Sequence, residues 1–255
     1  MNNIKSNSQK IFYENFHKDS RSSHRVASKN DFTYWNIIRQ IEQTISGKSH
    51  LKILDYGCGV GQVDLYFAKQ GYSVVGVDIS SNAIDKALSS KRLLGITDVK
   101  FTTIDNNVWQ KTRYDLIICS EVLEHVPKYR QLINKLIKLV KNDGLLFITV
   151  PSRNTPLIKL KYLKQDDRKV GHLRRFDLKL MQSLVFPKFS VVEIKYFDGI
   201  IRTYLFTTKF GSYILKIINK LKIFNPFIMK LDNFLAQKFG GGQIVLIMKK
   251  HDHRF

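Results

Sequence analysis

Cysteine is almost absent from this chain, and so are the signals that would send it through or across a membrane. Only Cys58 and Cys119 occur among 255 residues, each inside a hydrophobic or glycine-rich stretch, which excludes a disulfide framework and fits a reducing compartment. No uncharged apolar run approaches the eighteen or so residues that a bilayer span requires. The start, MNNIKSNSQK, is polar and lacks the apolar core of a secretory signal. A cytoplasmic protein is expected. Acidic residues are scarce too: 21 stand against 42 Lys and Arg, for a net charge of +21. Internal repeats and low-complexity tracts are missing.

The charge is unevenly spread, with +4 in residues 1–50, +3 in 51–150 and +14 in 151–255. Such a C-terminal surface would attract anionic headgroups, phosphorylated substrates or nucleic acid. Lysine filling solvated positions would account for it equally well.

From residue 51, short apolar runs alternate with amphipathic segments. LKILDYG (51–57), YSVVGVDI (72–79), VKFTTID (99–105), YDLIICS (114–120) and GLLFITVPS (144–152) read as strands, being short, rich in β-branched residues and bounded by Gly, Asp or Pro. Between them VDLYFAKQ, SNAIDKALSSKRLLG and KYRQLINKLIKLVKNDG read as helices stopped by Gly71, Gly95 and an Asp-Gly pair. Repeated β-α units imply a parallel sheet covered on both faces. Residues 1–50 read as an arm plus one helix, FTYWNIIRQIEQTI, and residues 51–255 as one domain. DLKLMQSLVF reads as a further helix, SVVEIKYF (190–197) and QIVLIMKK (243–250) as the last strands, with a helical insertion at 199–242.

The first strand runs into Asp55-Tyr56-Gly57-Cys58-Gly59-Val60-Gly61 before a helix. Glycines there let the backbone approach a ligand at a helix N-terminus. A dinucleotide fingerprint needs a further glycine at 62, where this chain has Gln. The second strand ends in Asp78, placed to accept both hydroxyls of a ribose, and the third in Asp105, placed to meet an adenine amino group.

LDYGCGVGQ, VVGVDIS, TIDN and YDLIICSEVLEHV, in this order and at these intervals, resemble the class I S-adenosylmethionine-dependent methyltransferases, in particular the small-molecule branch of ubiquinone-biosynthesis O-methyltransferases. The resemblance is strong over about 51–152 and looser over 172–198 and 243–250. It implies an α/β, doubly wound, mostly parallel seven-stranded sheet of order 3-2-1-4-5-7-6. It also implies S-adenosyl-L-methionine as cofactor, with Asp55, Gly57, Gly59 and Gly61 at the methionine end, Asp78 and Ile79 at the ribose, Asp105 and Asn106 at the adenine, and Cys119 and Glu121 beside the sulfonium.

Three readings of SEVLEHV compete. Glu121, Glu124 and His125 with His172 could hold a divalent metal, a set that resembles both the ubiquinone-type enzymes and the terminal-ribose methyltransferases of small RNAs. His125 or His172 could instead act alone as a general base. Alternatively, Glu124 orients the loop and His125 packs under the sheet rim. In RKVGHLRRFD, Arg174 and Arg175 could hold a phosphate or carboxylate of the acceptor or form a solvated loop before a helix capped by Asp177.

In the insertion, Tyr213, Ile214, Ile217, Ile218 and Leu221 form one helical face and Ile228, Leu231 and Leu235 another, with seven Lys or Arg and one Asp in 201–240. This suits a membrane surface, an amphipathic acceptor, or a lid with its lysines in water. The expected function is methylation of an oxygen on a small, lipid-like or anionic acceptor. The alternatives are RNA methylation, disfavoured by the lack of an appended RNA-binding module, and a non-catalytic cofactor-binding partner subunit. Oligomeric state is left open.

Overall fold

The computed structural model describes residues 2–18, 26–28, 31–155, 167–186, 188–220 and 225–251. One sheet of seven strands comprises β1 (Lys52–Tyr56), β2 (Ser73–Asp78), β3 (Val99–Thr103), β4 (Tyr114–Ser120), β5 (Val140–Pro151), β6 (Phe189–Phe197) and β7 (Gln243–Lys250). Their order is β3-β2-β1-β4-β5-β7-β6, as expected. The first five strands pair in parallel, and β7 lies antiparallel between β5 and β6.

The two faces alternate residue by residue, as the period-two pleat requires. Leu54, Ile117 and Leu146 point to the face covered by α5 (Tyr129–Leu139) and α6 (Leu178–Val185). Their neighbours Ile53, Leu116 and Phe147 point to the face covered by α2 (Trp35–Thr44), α3 (Gln62–Lys69) and α4 (Ser81–Leu93). The central strands are apolar on both sides because both sides are covered. Each such buried side chain contributes about 1.5–3 kcal/mol.

Two expectations need correction. The Asp-Gly pair at 143–144 does not end a helix: α5 stops at Leu139, β5 begins at Val140, and Asp143 at φ +57° belongs to an irregularity where the β4–β5 register shifts. The helix pair expected within 211–242 is present as α8 (Lys209–Lys220) and α9 (Asn225–Phe239), and α7 (Ile200–Thr207) precedes it among the described residues. The buried face of α9 is also rotated from the expected one, carrying Asn225, Met229, Asp232 and Ala236, while Leu231 is exposed.

The cause of that rotation is Asp232. Its carboxylate accepts hydrogen bonds from the backbone N–H groups of Gly199, Ile201 and Arg202 at 2.8–3.1 Å, capping α7 from another helix. On α8, Ile214 and Ile218 pack inward but Tyr213 and Ile217 are exposed; Leu221 lies outside the described residues.

Within the stretch read as an arm, α1 (Asn2–Lys18) docks on the start of α4. Glu14 accepts hydrogen bonds there from the backbone N–H of Ser81 and Asn82 and from the hydroxyls of Ser80 and Ser81, all at 2.8–3.0 Å. Burial alone would raise the Glu14 carboxyl, but these donors prevail and hold it at about 2. The Glu14 contribution is therefore complete above its ordinary pKa of 4.5 and disappears as pH falls from there towards 2. Glu14→Ala is expected to release α1 at neutral pH, seen as faster amide exchange at Ser81 and Asn82. Unchanged exchange would contradict the latch.

Candidate active site

The carboxyl ends of β1, β2, β4 and β5 open into a cavity of about 580 Å³, the position where open α/β sheets bind ligands. Gly57, Gly59, Asp78 and Ile79 line one part, and Glu121, Val122, His125 and His172 the next. Tyr13 and His17 of α1 form the roof, and Asp198, Phe206 and Gln243 line the part nearest the insertion.

The Gly-rich loop is tied to its neighbour strand: Gly57 and Cys58 N–H both donate to the Val77 carbonyl, at 2.7 and 3.1 Å. Asp78 fastens the loop from the other side, its carboxylate accepting from Gly59 N–H and Ser80 N–H at 2.9 Å each. Gly61 stands at φ +74° against the Phe101 ring, where a Cβ would lie 2.5 Å from that ring, so it closes the loop onto the core behind the cavity.

Several expected cofactor residues sit elsewhere. Asp55 is buried behind the loop near Asp64, and desolvation pushes both carboxyls up, Asp55 to about 7. Cys119 is fully buried in the core. Asp105 is at the exposed rim, 2.9 Å from Lys10 Nζ of α1, and Asn106 caps the turn at 107–111 through Val108 N–H. None of these, nor Gly61, lines the cavity.

The SEVLEHV loop is turned by Glu121 at φ +54°, a conformation that costs a non-glycine residue about 1–3 kcal/mol. It is held there by Thr149 of β5: Glu121 N–H donates to the Thr149 carbonyl at 3.1 Å, and the Thr149 hydroxyl donates to Glu121 Oε1 at 3.1 Å. Desolvation pushes the Glu121 carboxyl up to about 7.

Glu124 is fully buried and neither carboxylate oxygen has a hydrogen-bond partner. Burial pushes its carboxyl well up. His125 Nε2 lies 3.7 Å and His172 Nε2 3.8 Å from Glu124 Oε1. The ligand atoms of these three residues all fall within 4.8 Å of one another. His172 thus converges on His125 and Glu124, while Glu121, expected as a fourth ligand, is outside the group. Desolvation lowers His125 to about 4, keeping its ring neutral at pH 7.

Arg174, expected at the acceptor, holds the loop instead: its Nη1 donates to the carbonyls of Leu123 and Val126 at 3.1 and 2.5 Å, and its guanidinium stacks over Tyr129. Arg175 lines the cavity, but its guanidinium is paired with Asp167. α1 was not expected as a roof, although Phe12, Tyr13, Phe16 and His17 crowd four aromatic rings into its C-terminal half.

A family model described as a methyltransferase domain matches residues 31–185. The chain belongs to that family. Among curated proteins, it is 36% identical over 119 residues to the ubiquinone biosynthesis O-methyltransferase of Actinobacillus pleuropneumoniae, covering 44% of this chain and 51% of the relative. With the enzyme of that name from Coxiella burnetii it shares 37% over 123 residues, covering 46% and 50%. The matched segment spans about half the length of these relatives. Similar solved structures include the cyclase SpnF, with TM-score 0.62 and 15% identity over 97% of this chain and 95% of the other. Magnesium protoporphyrin IX methyltransferase from Synechocystis gives TM-score 0.55 and 17% identity over 86% and 82%. These likenesses show the fold; a cyclase among them illustrates that fold alone does not fix a reaction.

As a methyltransferase-domain protein, this chain is implied to bind S-adenosylmethionine, and the cavity fits it. Asp78 presents a carboxylate to the cavity, and Tyr13 Oη and His17 Nδ1, buried without partners, belong to residues that line it too. The Glu124, His125 and His172 group likewise fits a divalent cation, because a buried carboxylate and two bare imidazole nitrogens are an oxygen–nitrogen donor set with nothing else to bind. Charge-assisted hydrogen bonds are worth about 1.5–3 kcal/mol each, so Asp78→Ala is expected to weaken S-adenosylhomocysteine by about 100-fold or more in calorimetry. An affinity within about threefold of the parent would remove Asp78 from the ribose site.

Proposed function

We propose that this protein transfers the methyl of S-adenosylmethionine to an oxygen of a small, lipid-like acceptor, with a divalent cation held by Glu124, His125 and His172. The observation that carries the reading is the orphaned Glu124 carboxylate, facing two histidine Nε2 atoms in the cavity that Asp78 and Gly57 line at its other end. The cofactor supplies a methyl already activated on sulfur, and a cation there would polarise an acceptor oxygen.

The chain's own residues supply the rest. The Gly57–Gly59 loop and Asp78 orient the donor, and the strained Glu121 turn places the wall between donor and acceptor. With a cation there, the pKa of the acceptor hydroxyl would fall, so that its proton passes to solvent and the oxygen attacks as its anion; only in the metal-free protein would His125, neutral at pH 7, take that proton at Nε2. Tyr13, packed edge-on to His125 with ring centroids 5.4 Å apart, excludes water from above.

The lipid-like acceptor is supported by apolar side chains near the cavity. Phe206 of α7 lines it, and on α8 and α9, which contact α7, Phe210, Tyr213, Phe227, Leu231 and Phe234 are exposed. Lys209, Lys216, Lys230 and Lys238 flank them, an arrangement suited to an anionic membrane surface. No helix among the described residues is long and apolar enough to cross a membrane.

The test is incubation with methyl-labelled cofactor and fractionated cell extract, with and without a chelator. Label in the lipid-extractable fraction, reduced by chelator, is expected. Label in RNA would replace this acceptor class with nucleic acid, and cofactor binding with no labelled product in any fraction would leave a cofactor-binding partner subunit.

A further inference from the structure

A cluster of two histidines and a glutamate binds a cation only if both rings present the same kind of atom to it. Imidazole offers two nitrogens, and the one that donates elsewhere determines which is left bare. Both rings here are aimed by Asp167 and Gly171, residues for which the sequence reading proposed no role.

His125 Nδ1 lies 3.1 Å from the Gly171 carbonyl oxygen, and His172 Nδ1 lies 2.8 Å from Asp167 Oδ1. Carbonyl and carboxylate oxygens only accept, so each Nδ1 carries the proton and each Nε2 is bare towards Glu124. Asp167 binds His172 a second time, its backbone carbonyl accepting from His172 N–H at 2.8 Å.

Asp167 is itself fixed. Arg175 donates through Nε to Oδ2 and through Nη2 to Oδ1, both at 2.8 Å, while its Nη1 reaches the Ser152 carbonyl at 3.2 Å, just beyond β5. A two-point guanidinium–carboxylate pair is rigid as well as strong. The orientation of His172 is thereby referred to the sheet through Asp167 and Arg175. This also accounts for Arg175, whose expected role was acceptor binding.

We infer that Asp167 is a positioning residue, fixing His172 in the Nδ1–H tautomer so that its Nε2 joins His125 Nε2 and Glu124 around a divalent cation. The inference rests on the cation site proposed above. The experiment separates the two by using Mn²⁺ alone as probe, read by electron paramagnetic resonance without turnover, and by long-range ¹⁵N–¹H spectra of the histidines.

In the parent protein, the spectra are expected to show His172 protonated at Nδ1. An Nε2–H ring would overturn the inference whatever any variant does. Asp167→Asn is expected to weaken Mn²⁺ binding by about 10–100-fold and to shift His172 towards mixed tautomers, with far-UV circular dichroism unchanged. Asp167→Glu, which keeps the carboxylate, is expected to recover part of the affinity. Parent-like Mn²⁺ affinity and parent-like His172 signals in Asp167→Asn would overturn the positioning role. Absence of Mn²⁺ binding to the parent would instead overturn the cation site, and the tautomer spectra would still decide whether Asp167 aims His172.

Discussion

Glu124→Gln is expected to make the metal-free protein more stable and to abolish its activity. The Glu124 carboxylate is buried, both oxygens lack hydrogen-bond partners, and the Nε2 atoms of His125 and His172, with their lone pairs, lie 3.7 and 3.8 Å from Oε1. A buried polar group left unsatisfied costs about 1–3 kcal/mol. An amide of the same shape brings N–H donors to those lone pairs and no charge. In chelator, the thermal midpoint should rise by several degrees, since 1 kcal/mol moves a domain of this size by about 2–4 °C. Methyl transfer should fall by about 10²–10⁴-fold through loss of a ligand and the polarisation it supports. Opposite signs in stability and activity are what a group kept for chemistry shows. A lower midpoint in chelator would mean that Glu124 is a structural residue of the loop.

Gly57→Ala carries the other large expected effect. Gly57 stands at φ +89°, and a Cβ there would lie 2.3 Å from Val122 Cγ2. The backbone conformation and the clash together are expected to cost about 2–4 kcal/mol. Val122 follows Glu121 in the proposed wall between donor and acceptor, and both line the cavity, so relief of the clash would displace that lining. Cofactor affinity should fall by at least about tenfold in calorimetry with S-adenosylhomocysteine. Gly59→Ala is the internal control: its Cβ would meet only His17 Cε1, at 3.7 Å, with φ +54°. Equal losses at the two positions would show that the loop tolerates neither for a shared reason, and the Val122 contact would not be the cause.

Much of the scaffold was legible because its signals are local. The strands declare themselves as apolar runs between turn residues, and the Gly57–Gly61 loop and Asp78 mark the ends of adjacent strands. What was not legible depends on partners remote in sequence. Ile200–Thr207 is rich in β-branched residues and aromatics and gives no clear helical period, yet it is a helix because Asp232 caps it from α9. The same carboxylate turns α9 so that Leu231 faces water.

Arg174 and Arg175 offer identical donors in sequence, and only distance separates their partners: loop carbonyls for one, Asp167 for the other. The role of Asp167 was hidden for the same reason. It is five residues from His172 with no periodic pattern linking them, and the Asp167–His172 hydrogen bond exists because the chain folds back at Gly171, φ +79°. The roof formed by α1 depends on Glu14 finding the N-terminus of α4, 67 residues away.

One cavity is proposed to join a cofactor site at Asp78 to a cation site at Glu124, His125 and His172. Crystals grown with S-adenosylhomocysteine and Mn²⁺, measured for anomalous scattering, decide the point. A single strong Mn²⁺ peak is expected between the Glu124 carboxylate and the Nε2 atoms of His125 and His172, with the ribose on Asp78. An ordered S-adenosylhomocysteine with no anomalous peak among those three residues would contradict it.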